Sequence, residues 1–475
     1  MTPTVRRSEL LRDGSVDRLD AEYFDAERVE SERQLAASGG TALGEHFEIS
    51  DARVPDPRKD AAEGASISYV EIGDIDTRDG FVIGREVPAR EAPSRARMEL
   101  AAGLVALSAV RPARSQVLLV PPDLDDAVGS TGLIVLRRRE RGAVPPELLF
   151  VLLKTRGAVD QLDRRSRASM YPTLYPPDVR SVVLPALGAA AVEEIVELVE
   201  EAARHRVEFL GLSEELRQVS EAFFRPFGPH DLLADLGGHQ PTFRALGALK
   251  GDAGVDRLDA EFHAAAFDEA LARMGELGEV KRLGELLEED GALTGVSPGG
   301  DEFLDEDRGG DAAILKTAAM TGVGVNWAAL SYAPKEFAEA EASRLREGDV
   351  VFNSTAHQPK YMAHKIDVIA GIPADLQGRV TFVSDLMRLR LADQDALPPH
   401  YLAAFLRNPL GKEQIRRAIR GISSHVYPAD IREIQMPLPP PEVATEIATI
   451  ADKAEAARWQ HMRLVREAIE RAERA

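Results

Sequence analysis

Short runs rich in Val, Leu and Ile, bounded by Gly and Pro, recur along the chain as GLVALSAV, SQVLLV, TGLIVLR and DVVFNS, and this pattern predicts strands. Two longer stretches follow another period. From Ala189 to Phe224, apolar Val192, Val196, Val199, Ala203, Val207 and Leu210 recur in steps of three or four. From Pro441 to Ala475, the series Val443, Ile447, Ile450, Ala454, Ala457, His461, Leu464, Ala468 does the same. Such spacing predicts a long helix with one narrow apolar seam. At 1.5 Å per residue the second helix reaches roughly 50 Å, and two seams of similar length bury each other as a coiled coil. His461 reads as a packing residue on its seam. The segment from Arg225 to Gly254, with Pro226, Pro229, Pro241 and several glycines, reads as a linker.

The chain also repeats itself. VDRLDAEYF begins at Val16 and VDRLDAEFH at Val255, and further matches follow in the same order. Leu43-Gly44-Glu45 matches Leu283-Gly284-Glu285, SYVEIGDI matches AILKTAAM, and GLVALS matches GDVVFN. PPELLFVLLKTRGAVDQL then matches PPHYLAAFLRNPLGKEQI, and YPPDVRSVVLP matches YPADIREIQMP. The expected fold is mixed α/β: two homologous globular domains, each followed by a long helix, with the helices pairing antiparallel. The expected boundaries are 1–187 for the first domain, 188–225 for its helix, 226–254 for the linker, 255–439 for the second domain and 440–475 for its helix.

Composition narrows the class. At 475 residues with 44% hydrophobic content, the chain can bury several cores and is not a disordered polymer. It has no cysteine, which removes disulfides and thiolate metal sites. No signal-like or membrane-spanning apolar run is legible, so a cytoplasmic location is expected. The net charge of -21 argues against indiscriminate adhesion to polyanions. The acidity is concentrated, however: Glu285 to Asp311 holds ten acidic residues and one basic residue.

Arg18-Leu19-Asp20-Ala21-Glu22-Tyr23-Phe24, Gly348 to Asn353, and the paired endings Tyr175 to Pro185 and Tyr427 to Pro437 occur in a duplicated domain–helix order. In this the chain resembles the specificity subunit of type I restriction-modification systems over nearly its whole length. That resemblance implies two target recognition domains reading the unlike halves of a bipartite double-stranded DNA site, with helices that set their separation. It further implies two partner methyltransferase subunits, a restriction or translocase subunit, and S-adenosylmethionine bound by the methyltransferase, with no cofactor on this chain. A tandem of diverged readers on a spacer fits such a site physically, because half-site spacing follows protein geometry.

Phosphates are held by Lys and Arg, and base edges by Arg, Asn, Gln, Ser and Thr. Lys154 to Arg180 holds six basic and three acidic residues, and the matching Ala403 to Arg432 holds six and two. Both copies are therefore basic at the same place, where Arg164, Arg165, Arg167 and Arg416, Arg417, Arg420 are the candidate phosphate contacts. Each basic helix leads to a polar loop, resembling the family's Ser/Thr-rich DNA-contacting loop, with Ser169, Tyr171 and Thr173, or Ser423, Ser424 and His425, as base-side candidates. A second loop adds Arg111, Arg114 and Gln116 in one copy and Thr355, His357, Gln358, Lys360 and Tyr361 in the other. Tyr175 and Tyr427 read as core or turn anchors.

No enzyme signature appears. The prolines of LPPPE lack the Asn and aromatic residue of an adenine methyltransferase, TGVGVN lacks the third glycine of a nucleotide-binding turn, and no P-loop or HExxH occurs. His364, Lys365 and Asp367 read as a loop charge cluster, and no metal site is expected. The expectation is a noncatalytic reader. A reader in another phage-defence assembly and a protein-binding scaffold are the alternatives.

Overall fold

The computed structural model describes residues 23, 25–167, 171–227, 271–272, 274–275, 278–304, 307–420 and 424–475. All but Tyr23 of the repeated VDRLDAEYF and VDRLDAEFH segments lie outside them. The chain forms two compact units. One comprises residues up to Arg206 together with Trp459–Ala475, and the other Val207–Arg458.

The two units share one topology. In the first, a four-stranded antiparallel sheet runs in the order Phe47–Ser50, Leu133–Arg138, Val105–Ser108, Val117–Leu119. In the second, Leu287–Thr294, Leu386–Leu391, Val350–Asn353 and Ile366–Val368 repeat that order. The central strands are apolar on both faces because both are covered: Val105, Ala106 and Leu107 are buried, as are Val350, Val351 and Phe352. A second sheet is centred on Ser66–Val70 or Ala312–Leu315, each with one antiparallel and one parallel neighbour. In the first unit an edge strand, Ala96–Glu99, extends this sheet.

The repeated phrases are structural instructions. Leu43 and Leu283 are fully buried, and their backbone N–H groups donate to Val182 O and Ile434 O at 2.8 and 2.7 Å. Gly44 and Gly284 lie against Arg180 and Arg432, where an added Cβ would approach within 3.1 and 3.0 Å. Glu45 and Glu285 accept from the backbone N–H three residues earlier. Gly103 and Gly348 precede the central strands at φ of 81° and 83°, a region open to glycine at little cost. Gln161 clamps Val183 through both its N–H and its C=O, and Gln414 clamps Gln435 identically.

The long helices, Ala189–Phe224 and Pro441–Arg474, run antiparallel. In the first unit Glu194 pairs with Arg471 and Ala202 O meets His461 Nδ1 at 2.8 Å. In the second, Val219, Phe223 and Phe224 join the cluster containing Ile447. The second helix buries Ile447, Ile450, Ala454, Ala457, His461, Leu464 and Ala468, matching its expected seam. The first is rotated by one residue from expectation. Up to Leu210 its buried positions are Ile195, Val199, Ala202, Arg206 and Phe209, while Val207 is 62% exposed. Arg206 explains the error: a charged residue occupies the seam because its guanidinium pairs with Asp123 and covers the Phe81 ring. No helix among the described residues is long and apolar enough to cross a membrane.

Candidate nucleic-acid interface

Two loops meet at the same place in each unit. One follows the central strand, and the other joins the basic helix to a one-turn helix starting at Pro176 or Pro428. In the first unit Val110 bridges Thr173, and Thr173 bridges Arg167. In the second, Thr355 pairs with His425, which bridges Arg420. Leu174 N donates to Ala109 O, and Val426 N to Ser354 O. Backbone hydrogen bonds thus bring the two loop sets together without using side-chain identity, leaving side chains free to differ.

A common ion pair braces each junction. Arg167 meets Asp178 at 3.3 Å, and Arg420 meets Asp430. The Arg167 guanidinium also lies 4.8 Å from the centre of the Tyr175 ring. His425 stacks beside Tyr427, with ring centres 6.5 Å apart, and its Nδ1 lies 3.0 Å from Thr355 Oγ1. Arg111, held at φ 50° by its N–H donating to Pro172 O at 2.7 Å, places its guanidinium 5.4 Å from the Tyr171 ring centre. Arg114 is exposed at its outer edge, and the partial desolvation of its guanidinium, followed by the nearby Arg111 charge, lowers its pKa. Thr173 Oγ1 donates to Tyr171 O. His357 and Gln358 are exposed on the longer loop of the second unit. Lys360 lies in the one-turn helix Pro359–Tyr361 that follows, and Tyr361 O accepts from Asn353 Nδ2 at 2.7 Å.

Four sequence candidates are turned inward instead. Arg164 and Arg165 have side chains only 6% and 5% exposed and converge on Glu32. Arg165 also donates to Ser181 and to Gln161 O, and Arg164 covers the Tyr23 ring. Gln116 is buried, with Nε2 donating to Ile72 O at 2.7 Å. Its counterpart Lys365 donates to the matching Thr317 O, so both tie the sheet to a neighbouring loop. Ser424 is buried in the bridge with Ala356. Arg416 pairs with Glu413 and remains partly exposed, as does Arg417. Ser169 and Ser423 lie outside the described residues.

The residues taken for a loop charge cluster near His364 correct similarly. Asp367 is fully buried in the strand Ile366–Val368 and accepts from Gly322 and Gly324 N–H. Burial nevertheless raises its pKa, outweighing the opposing Arg407 charge and the two backbone donors. In the first unit the corresponding buried charge is Lys154, which occupies the position of Arg407 and donates to Thr77 O and Ser115 O at 2.8 and 3.0 Å. Burial lowers its pKa to about 8 against the opposing pull of Asp79 and Asp76.

Tyr175 and Tyr427, expected as core or turn anchors, begin turns but are 53% and 52% exposed and so lie outside the core. With Tyr171 and Tyr361 they make up the four exposed tyrosines among the described residues, and all four lie on these loops. Arginines interleaved with exposed aromatics suit a nucleic-acid strand, which offers phosphates and flat or sugar surfaces together. Among the described residues, no group of His, Asp and Glu converges as for a metal ion.

No protein-family model and no curated protein matches the chain. Among solved structures, it is similar to the HsdS subunit from Thermoanaerobacter tengcongensis, at 22% identity and a TM-score of 0.32 over 92% of this chain and 96% of that one. A chain from a structure of type I R-M system assembly and conformational transition shows 21% identity and a TM-score of 0.31, covering 91% and 96%. The type I restriction-modification S subunit from M. genitalium shows 8% and 0.34, covering 92% and 94%.

Proposed function

We propose that this chain is a noncatalytic, cytoplasmic DNA-sequence-recognition subunit of a type I restriction-modification complex. Each unit reads one half of a bipartite, asymmetric double-stranded site. The long helices hold methyltransferase subunits, which carry S-adenosylmethionine, and position a restriction subunit. The observation supporting this reading is the loop junction built twice, with the same backbone pairing and the same Arg–Asp brace but different surrounding side chains. Duplicated machinery with diverged tips suits two unlike half-sites at a fixed gap.

The test is selection of duplexes from a random library by the full chain, with and without a co-expressed methyltransferase subunit, across a range of salt. A gapped, asymmetric consensus with affinity falling steeply in salt is expected. Retention of partner protein with no sequence enriched under any condition would replace the reader with a protein-binding scaffold.

A further inference from the structure

Matching the two units residue by residue divides the junction into two sets. The first is identical in both: Arg167 and Arg420, Asp178 and Asp430, Tyr175 and Tyr427. In each pair the carboxylate is the more buried partner, at 23% against 45% exposure for Asp178 and Arg167, and 5% against 40% for Asp430 and Arg420. The guanidinium therefore faces outward with its counter-charge behind it. An exposed tyrosine stands at the start of the same one-turn helix.

The second set differs at corresponding positions. Thr173 stands where the other unit has His425, and Val110 where it has Thr355. The turn that follows spans five residues, 111–115, in one unit and nine, 356–364, in the other. It carries Arg111 and Arg114 in the first and His357, Gln358 and Tyr361 in the second.

Two half-sites of different sequence have only the sugar-phosphate backbone in common. We infer, resting on the DNA-reading assignment above, that the shared Arg–Asp–Tyr set is a sequence-independent anchor on that backbone and that the differing set discriminates bases. In the anchor the guanidinium and the tyrosine hydroxyl donate to phosphate oxygens, while the more buried Asp178 or Asp430 fixes the arginine and keeps its own charge away from the strand. Donation to phosphate sets register without carrying sequence information. Base choice then falls to Thr173 with Arg111 and Arg114 in one unit, and to His425 with His357 and Gln358 in the other.

The experiment compares full-length wild type with Tyr427→Phe, Arg420→Ala, His425→Thr and Gln358→Ala in the same library selection, with thermal unfolding of each variant as a folding control. Tyr427→Phe keeps the ring and removes only the hydroxyl. Its affinity is expected to fall roughly tenfold while the enriched sequence stays the same. Arg420→Ala should weaken binding to every duplex and flatten the salt slope by about one unit. His425→Thr and Gln358→Ala should change the preferred bases in one half-site and leave the other intact. A changed consensus or unchanged affinity in folded Tyr427→Phe overturns the division, as does uniform weakening by both His425→Thr and Gln358→Ala. Failure of wild type itself to enrich any sequence would instead overturn the DNA-reading assignment.

Discussion

Replacing Arg165 by Met separates the inward arginines from the outward ones. Arg165 donates to both oxygens of Glu32, at 3.1 and 2.6 Å. It donates further to Ser181 Oγ and Ser181 O at 3.0 Å and to Gln161 O at 3.1 Å. Breaking a buried ion pair by removing one partner costs about 3–5 kcal/mol. Here Glu32 retains Arg164, and methionine fills much of the vacated space, so the expected loss is about 2–4 kcal/mol. For a unit of this size, each kcal/mol corresponds to roughly 2–4 °C in Tm. Scanning calorimetry should therefore show a fall of roughly 5–15 °C in the transition of the first unit. Below that transition, DNA affinity and its salt slope should match wild type. Burial alone would raise the Glu32 pKa, but the hydrogen bonds and charges of Arg165 and Arg164 overcome it and hold the carboxyl below its ordinary 4.5. The stability from a carboxylate lowered in the fold is present above its unfolded pKa and lost as pH falls through the folded one. The difference between wild type and variant should accordingly shrink below pH 4.5. An unchanged Tm with weakened, salt-flattened DNA binding would refute the structural assignment and restore Arg165 to the phosphate-contacting surface.

Gln414→Ala leaves the N–H and C=O of Gln435 without their side-chain partner and should destabilise the second unit by about 1–3 kcal/mol, read as a lower urea midpoint for that unit alone. Leu283→Ala, at a fully buried site, should cost about 2–5 kcal/mol in the same assay, and an unchanged midpoint would refute the packing role of the Leu-Gly-Glu phrase. Lys154 has a folded pKa of about 8, lowered from 10.5. The unfolded chain therefore holds the extra proton between those values, and its penalty on folding, fully present below pH 8, fades as pH rises toward 10.5. Measured relative to Lys154→Met, the stability of the first unit should rise across that window by up to about 3 kcal/mol; a flat difference would show that Lys154 titrates normally.

The sequence revealed the duplication because its repeated words encode backbone requirements. A left-handed glycine, a buried leucine and a glutamine clamp each depend on residue type at a fixed place. Charge counting along the chain was less informative, since a count does not show where each arginine points. Arg164 and Arg165 are neutralised by Glu32 on the helix Ala26–Ala37, more than a hundred residues upstream. Arg206 hid the true seam for the same reason, because Asp123 lies far away in sequence. Tyr-Pro read as a core or turn anchor; each tyrosine begins a turn but is about half exposed, so neither is a core residue. Gln116 looked like a loop residue until the strand after it placed its amide against Ile72.

Each unit balances its interior charge differently, and this bears on which segments can be exchanged between the two. Asp76 and Asp79 face Lys154 in the first unit, whereas in the second Asp367 faces Arg407 and Lys365. The positions matching Asp367 and Asp76 are Leu118 and Thr321. Joining the first unit through Val110 to the second from Thr355 onward would bury Asp76, Asp79 and Asp367 against Arg407 and Lys365, a set that neither unit contains. The reciprocal hybrid would bury Lys154 with none of those carboxylates. Splices at Pro185 and Pro437, just before the long helices, keep each set whole. An exchange of a whole unit therefore carries each buried charge with its own partners, whereas a cut within a unit separates Lys154 from Asp76 and Asp79.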